Sequence, residues 1–173
     1  MSFETVKQSG AVDYLLRTTQ QHHVRLSVMA DQKANIMIAA TSILLTFAFA
    51  NFKQQNLFWG FLALFVFAFI SLILAILAVS PRFGREEEQS QLNSLFFGHF
   101  VHLSLEDYFE EMDEIMSNDK KTYEAIVKDI YYIGQNLQHH KYRHLSSSYR
   151  VFLMGIVIAG ALFVLQTALF YLS

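Results

Sequence analysis

The sequence predicts an all-α integral membrane protein in which three transmembrane helices carry long cytoplasmic helical extensions. Three windows, 34–52, 57–80 and 151–172, contain no Asp, Glu, Lys or Arg and provide the roughly 20 apolar residues that a hydrocarbon core requires. Apolar residues outside these windows recur at intervals of three and four, which is typical of helices. Only one proline occurs in the 173 residues, so little in the chain would break such helices.

The first segment, 1–33, is predicted to be a cytoplasmic amphipathic helix that continues into the membrane. Hydrophobic residues recur at helical spacing from Val12 to Ala30, with no break before the apolar window. A helix over residues 11–52 would be about 60 Å long, twice the thickness of the hydrocarbon core. The window begins more than thirty residues into the chain and no cleavage signal follows it, so we interpret it as a retained helix.

Residues 34–80 are predicted to form a transmembrane hairpin. The polar turn 53–56 separates its two apolar windows. The second helix is expected to end at Ser80, because a residue that precedes proline is disfavoured in helical conformation and Pro81 follows.

The segment 81–150 is predicted to be a cytoplasmic helical region. It contains two amphipathic pieces, 89–103 and 104–116, and Ser104 stands before the second piece in the manner of a helix N-cap. A further helix follows and is expected to run without a break into the third transmembrane helix, 151–173.

Basic residues are distributed unequally along the chain. Of 13 Lys and Arg, four precede the first window, one lies in the turn at Lys53, and eight lie in 81–150. Basic residues collect on the cytoplasmic side of membrane proteins. The N-terminus and 81–150 are therefore expected in the cytoplasm, and the C-terminus outside.

Composition and motifs exclude several functions. The segment 81–150 has eight basic and twelve acidic residues, so it lacks the clustered basic face that nucleic-acid binding requires. No nucleophile elbow or glycine-rich phosphate loop accompanies the Ser, His and Asp residues. We therefore expect a protein that is not an enzyme, uses no cofactor, and contacts membrane lipid but no nucleic acid.

The stretch ADQKAN places Asp31, Lys33 and Asn35 at the edge of the first apolar window. Asp31 and Asn35 are four residues apart and share a helix face, whereas Lys33 points elsewhere. In one interpretation Lys33 extends to the lipid headgroups while Asp31 and Asn35 are solvated. In the other, Asp31 and Asn35 bond to the cytoplasmic end of another helix. The spacing does not decide between them.

Two further groups of residues have a structural and a functional interpretation. His140 and His144 are four residues apart and are weak candidates for zinc ligands, because a site needs a third ligand and no known zinc motif is present. Gly155, Ala159 and Gly160 form a small-residue face on the third span. Such faces allow close helix packing, either within one chain or between copies.

Two blocks of the sequence resemble the Pycsar effector family of bacterial membrane proteins. The block HHVRLSVMADQKANIMIAATSILL is similar to a signature in which a His-rich approach and an A-D-x-K-A-N core lead into the first membrane helix. The block YEAIVKDIYYIGQNLQHHKYRHLSSSYRVFLMGI is similar to the closing block of the family. The residues that match the closing pattern are Lys141, Tyr142, Leu145, Tyr149 and Phe152.

The resemblance implies an anti-phage effector of the bacterial inner membrane. In such a system a cyclase makes a cyclic mononucleotide on infection, the effector responds, and the membrane is compromised so that growth stops. Effectors that sense the nucleotide themselves are expected to carry a β-roll, and no segment here alternates with the period of a strand. We therefore expect the membrane module alone, acting as a homo-oligomer. Its trigger is left open between a cyclic-mononucleotide signal or cyclase-linked partner protein, another ligand, and phage damage itself.

Two other functions fit the same residues. A membrane-anchored adaptor or signalling subunit would use its helices only to hold a docking surface for a partner enzyme. A metal or ion transporter built on the histidines is a weaker alternative.

Overall fold

The chain is helical throughout the part that the structure describes. The computed structural model describes residues 9–80, 95 and 100–172, and every regular element in them is a helix. In chain order these are α1 Gly10–Ala50, a 3₁₀ turn Gln55–Leu57, α2 Phe58–Val79, α3 Leu105–Met116, α4 Asp119–Asn136, a π-helical segment Leu137–Tyr142 and α5 Arg143–Leu172.

Three helical stretches are long and apolar enough to cross a membrane. They are Gly10–Ala50, Gln55–Val79 and Asp119–Leu172. The predicted all-α class with three membrane-spanning helices is confirmed. The division of the chain at residues 33, 80 and 150, and the side of the membrane on which each segment lies, stay predictions.

The ends of two helices follow the local sequence signals. Ser80 has extended backbone angles, φ −62° and ψ 126°, so α2 ends where the following proline requires. The Ser104 hydroxyl accepts a hydrogen bond from the Asp107 backbone N–H, which makes Ser104 the N-cap of α3. Most of the predicted amphipathic piece 89–103 lies outside the described residues.

The helix that enters the third span differs from the expectation of an unbroken α-helix. Residues 137–142 form a π-helical turn between α4 and α5. A π turn holds more residues than an α turn, so it changes the direction of every side chain that follows relative to an uninterrupted helix. Apolar periodicity does not reveal such a turn, because the inserted residue only shifts the phase of the pattern.

The chain divides into two compact units. The first comprises Met1–Ser27 and Pro81–Leu137, and the second comprises Val28–Ser80 and Gln138–Ser173. In the first unit, α3 packs against α4, and the Thr122 hydroxyl donates to the Ile115 carbonyl at 2.9 Å.

The core of the second unit is built largely from small residues. One cluster joins Ala30, Ala34, Ala78 and Leu145, and another joins Ala48, Leu64 and Ala159. Small side chains let helix backbones approach closely, and the van der Waals packing that results is one of the forces that hold helices together in lipid.

Candidate functional site

One polar residue at the edge of the first apolar window, Asp31, contacts the closing block of the sequence. The Lys141 ammonium lies 2.7 Å from each of the two carboxylate oxygens of Asp31. Asp31 is on α1 and Lys141 is in the π-helical segment, and both side chains are only partly exposed. The ion pair therefore joins the two blocks on which the family resemblance rests.

The other polar residues of the ADQKAN stretch lie at the surface. Lys33 and Asn35 are both exposed, whereas Ala30 and Ala34 on the same helix are buried. For Asp31 the structure favours bonding to another helix, and the partner is a lysine of the closing block. Arg82 and Arg85, which follow the second apolar window in the sequence, lie outside the described residues, and Arg150, which precedes the third window, is exposed.

The remaining residues of the closing pattern divide between the core and the surface. Leu145 is buried with Ala30, Ala34 and Ala78, and Tyr142 packs against that cluster. Tyr149 is exposed and Phe152 is half-buried. The closing pattern thus provides the lysine of the ion pair, Lys141, and two residues of the neighbouring apolar cluster, Tyr142 and Leu145.

A buried polar contact joins α2 to α5. The Ser71 hydroxyl lies 2.9 Å from the Ser148 carbonyl, the Ser148 hydroxyl lies 2.8 Å from the Ser71 carbonyl, and both residues are fully buried. Sequence reasoning missed this pair. The sequence does contain an indication of it, because Ser71 lies in the middle of a strongly apolar window. Serine hydroxyls in membrane helices often hydrogen-bond to a neighbouring helix.

The small-residue face of α5 is divided between two environments. A Cβ at Gly155 would meet the Phe67 side chain of α2, and Ala159 is buried in the cluster with Ala48 and Leu64. A Cβ at Gly160 would meet nothing within 4 Å. The structure therefore favours packing within the chain for Gly155 and Ala159 and leaves Gly160 open.

The two histidines proposed as weak metal candidates pair with each other. The His140 and His144 rings stack with centroids 6.1 Å apart, and His144 Nδ1 lies 2.8 Å from the His140 carbonyl. Among the described residues no group of three His, Cys, Asp or Glu side chains comes close enough to hold a metal ion. These two residues alone do not make a zinc site.

Two polar contacts in the first unit were also missed by the sequence analysis. The Gln20 side-chain amide donates to the Asp129 carboxylate at 2.7 Å, and the Tyr123 hydroxyl donates to Asp13 at 2.6 Å. The hydrogen bond to Asp13 raises the pKa of Tyr123 above its ordinary value. Helical periodicity places Asp129 on the apolar side of α4, but it does not identify the amide that accompanies it.

Burial gives Asp129 a measurable dependence on pH. Loss of solvation raises the pKa of the Asp129 carboxyl, and the bond from Gln20 opposes that rise. A carboxyl whose pKa is higher in the folded than in the unfolded chain stabilises the fold below the unfolded pKa and loses that contribution as pH rises through the folded pKa.

Asp129→Asn should therefore change how the free energy of unfolding varies with pH, while changing its value at pH 7 only a little. At pH 7 we expect unfolding free energies of variant and wild type to agree within about 1 kcal/mol, since the amide oxygen still accepts from Gln20. As the pH is lowered towards 4, the free energy of unfolding of the wild type should rise relative to that of the variant. Gln20→Ala, which leaves the carboxylate without its donor, should cost about 1–2 kcal/mol at pH 7. Thermal unfolding in detergent at several pH values measures all three proteins, and an unchanged profile in Asp129→Asn would contradict the assignment.

Comparison with known protein families gives one match. The family model PycTM, described as the Pycsar effector protein domain, matches residues 14–167, which is well over half of the chain. The match includes both blocks, the Asp31 to Lys141 ion pair and the Ser71 to Ser148 contact. No curated protein and no solved structure was found to be similar to the chain.

Proposed function

Because the chain belongs to the PycTM family of Pycsar effector domains and is thus a membrane effector of anti-phage defence, we propose that it acts by oligomerising and making the inner membrane leaky. Three helices from one chain have too small a circumference to enclose a water-filled path and still pack against each other. A path for ions or small solutes therefore needs several copies.

The observation that carries the proposal is the ion pair at the start of the apolar stretches. Asp31 lies just before the first apolar window, and its partner Lys141 lies in the π-helical segment before the third. π turns inside α-helices are frequent at functional sites. We propose that the cyclic-mononucleotide signal, received through a cyclase-linked partner or another ligand, alters this contact and so changes how α1 and α5 pack.

The leak is tested in cells that carry the whole defence system. On triggering by phage, or by raised cyclic-mononucleotide levels, we expect depolarisation and uptake of a membrane-impermeant dye before growth stops. Cells that express the chain without the trigger are the control. Arrest of growth with normal potential and dye exclusion would contradict the leak and favour the adaptor alternative, in which the chain instead co-purifies with a partner enzyme.

The proposed orientation is tested by reporter fusions. A fusion at Asn118 should report a cytoplasmic location and a fusion after Ser173 an external one, because basic residues are concentrated on the side of residues 81–150. A fusion at Lys53, in the turn between the first two spans, should report the external side. If Asn118 and Ser173 report the same side, one of the three spans does not cross the membrane.

A further inference from the structure

The short helix α3 presents an apolar surface bordered by acidic residues. Leu105, Phe109 and Met116 are 63%, 62% and 65% exposed, and their spacing of four and seven places them on one helix face. The neighbouring Met112 and Ile115 are half-buried. An exposed apolar stripe of this length on a helix that already packs on one side indicates an interaction surface.

The charges around this stripe have one sign. Glu106, Glu110 and Asp113 are exposed beside it, and none of them pairs with a basic residue in the part of the chain that the structure describes. We call the apolar stripe with these three carboxylates the acidic face. The negatively charged cytoplasmic leaflet would repel it, which disfavours lipid as its partner.

The same unit carries a surface of opposite charge on α1. Arg17 and Arg25 are exposed, and neither has a carboxylate partner among the described residues. Tyr14 and Val24, 72% and 52% exposed, lie beside them at helical spacing with Gln21. We call these five residues the basic face. Asp13, the nearest acid, is instead bonded to Tyr123.

We propose that the acidic face of one copy binds the basic face of a second copy. The inference rests on the proposed oligomeric function and names the surfaces that would build the oligomer. Two acidic faces would repel each other, as would two basic faces, so the charges favour contact between unlike faces. Each face also offers the other exposed apolar side chains, which supply the association energy that surface ion pairs lack.

Contact between two different faces has a consequence for the form of the assembly. A head-to-tail interface leaves one free face at each end, so copies add until the rotation between neighbours closes a ring. All copies insert in the membrane with the same orientation, so their rotation axis is the membrane normal. A ring about that axis is the arrangement that a shared path through the bilayer requires.

The test reverses one charge on each face of the full chain. Copies with two different affinity tags are expressed together, and their co-purification from membranes reports assembly. We expect Glu110→Lys alone and Arg25→Glu alone each to lower co-purification about tenfold, because each replaces an attraction worth a few-fold in affinity by a repulsion of similar size. The two variants expressed together should restore it, since each then offers the face that the other needs.

Matched controls come from the exposed ion pair on α4. Glu124→Lys and Lys128→Glu carry the same charge changes, but their carboxylate and ammonium, 3.1 Å apart, bond to each other and lie outside both faces. We expect both controls to co-purify like the wild type.

Each outcome decides the proposal. The proposal is overturned if Glu110→Lys alone or Arg25→Glu alone co-purifies as well as the wild type. It is also overturned if co-expression of the two variants does not restore co-purification. Reduced co-purification confined to Glu110→Lys, with no effect of Arg25→Glu, overturns the proposal, because the acidic face then binds something other than the basic face of a second copy. Recovery of co-purification without dye uptake supports the interface and contradicts the leak mechanism, so the two failures are distinguishable.

Discussion

Replacing Gly155 with leucine is expected to separate α2 from α5 and to abolish the membrane activity. A Cβ at this position would overlap the Cβ of Phe67 and would lie 3.0 Å from the Cγ of its ring. The Phe67 Cβ can move only together with its helix, because the position of a Cβ is fixed by the backbone. Overpacking of a fitted contact costs about 1–3 kcal/mol, and a whole leucine side chain belongs at or above the upper end. Thermal unfolding in detergent and dye uptake in triggered cells measure the two effects.

The matched control is Gly160→Leu. The change is chemically identical and lies on the same helix, but a Cβ at residue 160 meets nothing within 4 Å. We expect unfolding free energy within about 0.5 kcal/mol of the wild type. Equal destabilisation by both variants would contradict the packing described for Gly155. Loss of assembly in Gly160→Leu with an unchanged melting temperature would instead place a second copy against this open position.

Asp31→Ala is expected to abolish protection against phage while the protein still inserts in the membrane. The substitution removes the two 2.7 Å contacts between the Lys141 ammonium and the carboxylate oxygens of Asp31. The side chains are partly exposed, so water compensates in part and the loss of stability should be about 1 kcal/mol. The expected loss of protection is at least tenfold, because the proposal makes this contact the step between signal and span packing. Plating efficiency of phage at equal expression measures it.

Three variants separate the ion pair from a general effect of charge at the membrane edge. Lys33→Ala removes an exposed charge two residues away and should protect normally. Lys141→Ala should be as inactive as Asp31→Ala. The exchange of both, Asp31→Lys with Lys141→Asp, should recover part of the activity, because the attraction is retained while the geometry changes. Full protection by Asp31→Ala would contradict a role for the ion pair in signalling and would favour the interpretation in which Asp31 is only solvated.

Much of the fold could be predicted because its signals are local. An apolar window of about 20 residues has few alternatives to a membrane helix. The proline after Ser80 and the hydroxyl of Ser104 act on their immediate neighbours, so the end of α2 and the start of α3 could be read directly.

The candidate site could be predicted only in part, because its contacts join distant residues. Helical spacing showed that Asp31 and Asn35 share a face, but Asp31 meets Lys141, which is 110 residues away, and Asn35 is exposed. Apolar periodicity predicts on which face of its helix a residue lies, but it does not predict which other helix packs against that face. The same limit applies to Gln20 with Asp129.

The π-helical segment and the glycines of α5 show two further limits. The formation of a π turn depends on the tertiary contacts of the helical segments before and after it. The residue types in 137–142 therefore do not predict the turn. A small residue permits close packing without naming its neighbour, which is why Gly155 and Gly160 look alike in sequence and differ in the structure.

The serine contact between α2 and α5 also constrains the order in which the protein is made. Ser71 and Ser148 are 77 residues apart, so at about 5–20 residues per second the ribosome adds the second serine roughly 4–15 seconds after the first. Until α5 is present, the Ser71 hydroxyl has no Ser148 to bond to, and a carbonyl of the preceding turn of α2 is an alternative acceptor. The contact forms only when α5 brings the Ser148 carbonyl and hydroxyl to Ser71. Synthesis of α5 therefore completes this contact, and a nascent chain interrupted before α5 contains α1 and α2 with Ser71 not yet bonded to Ser148.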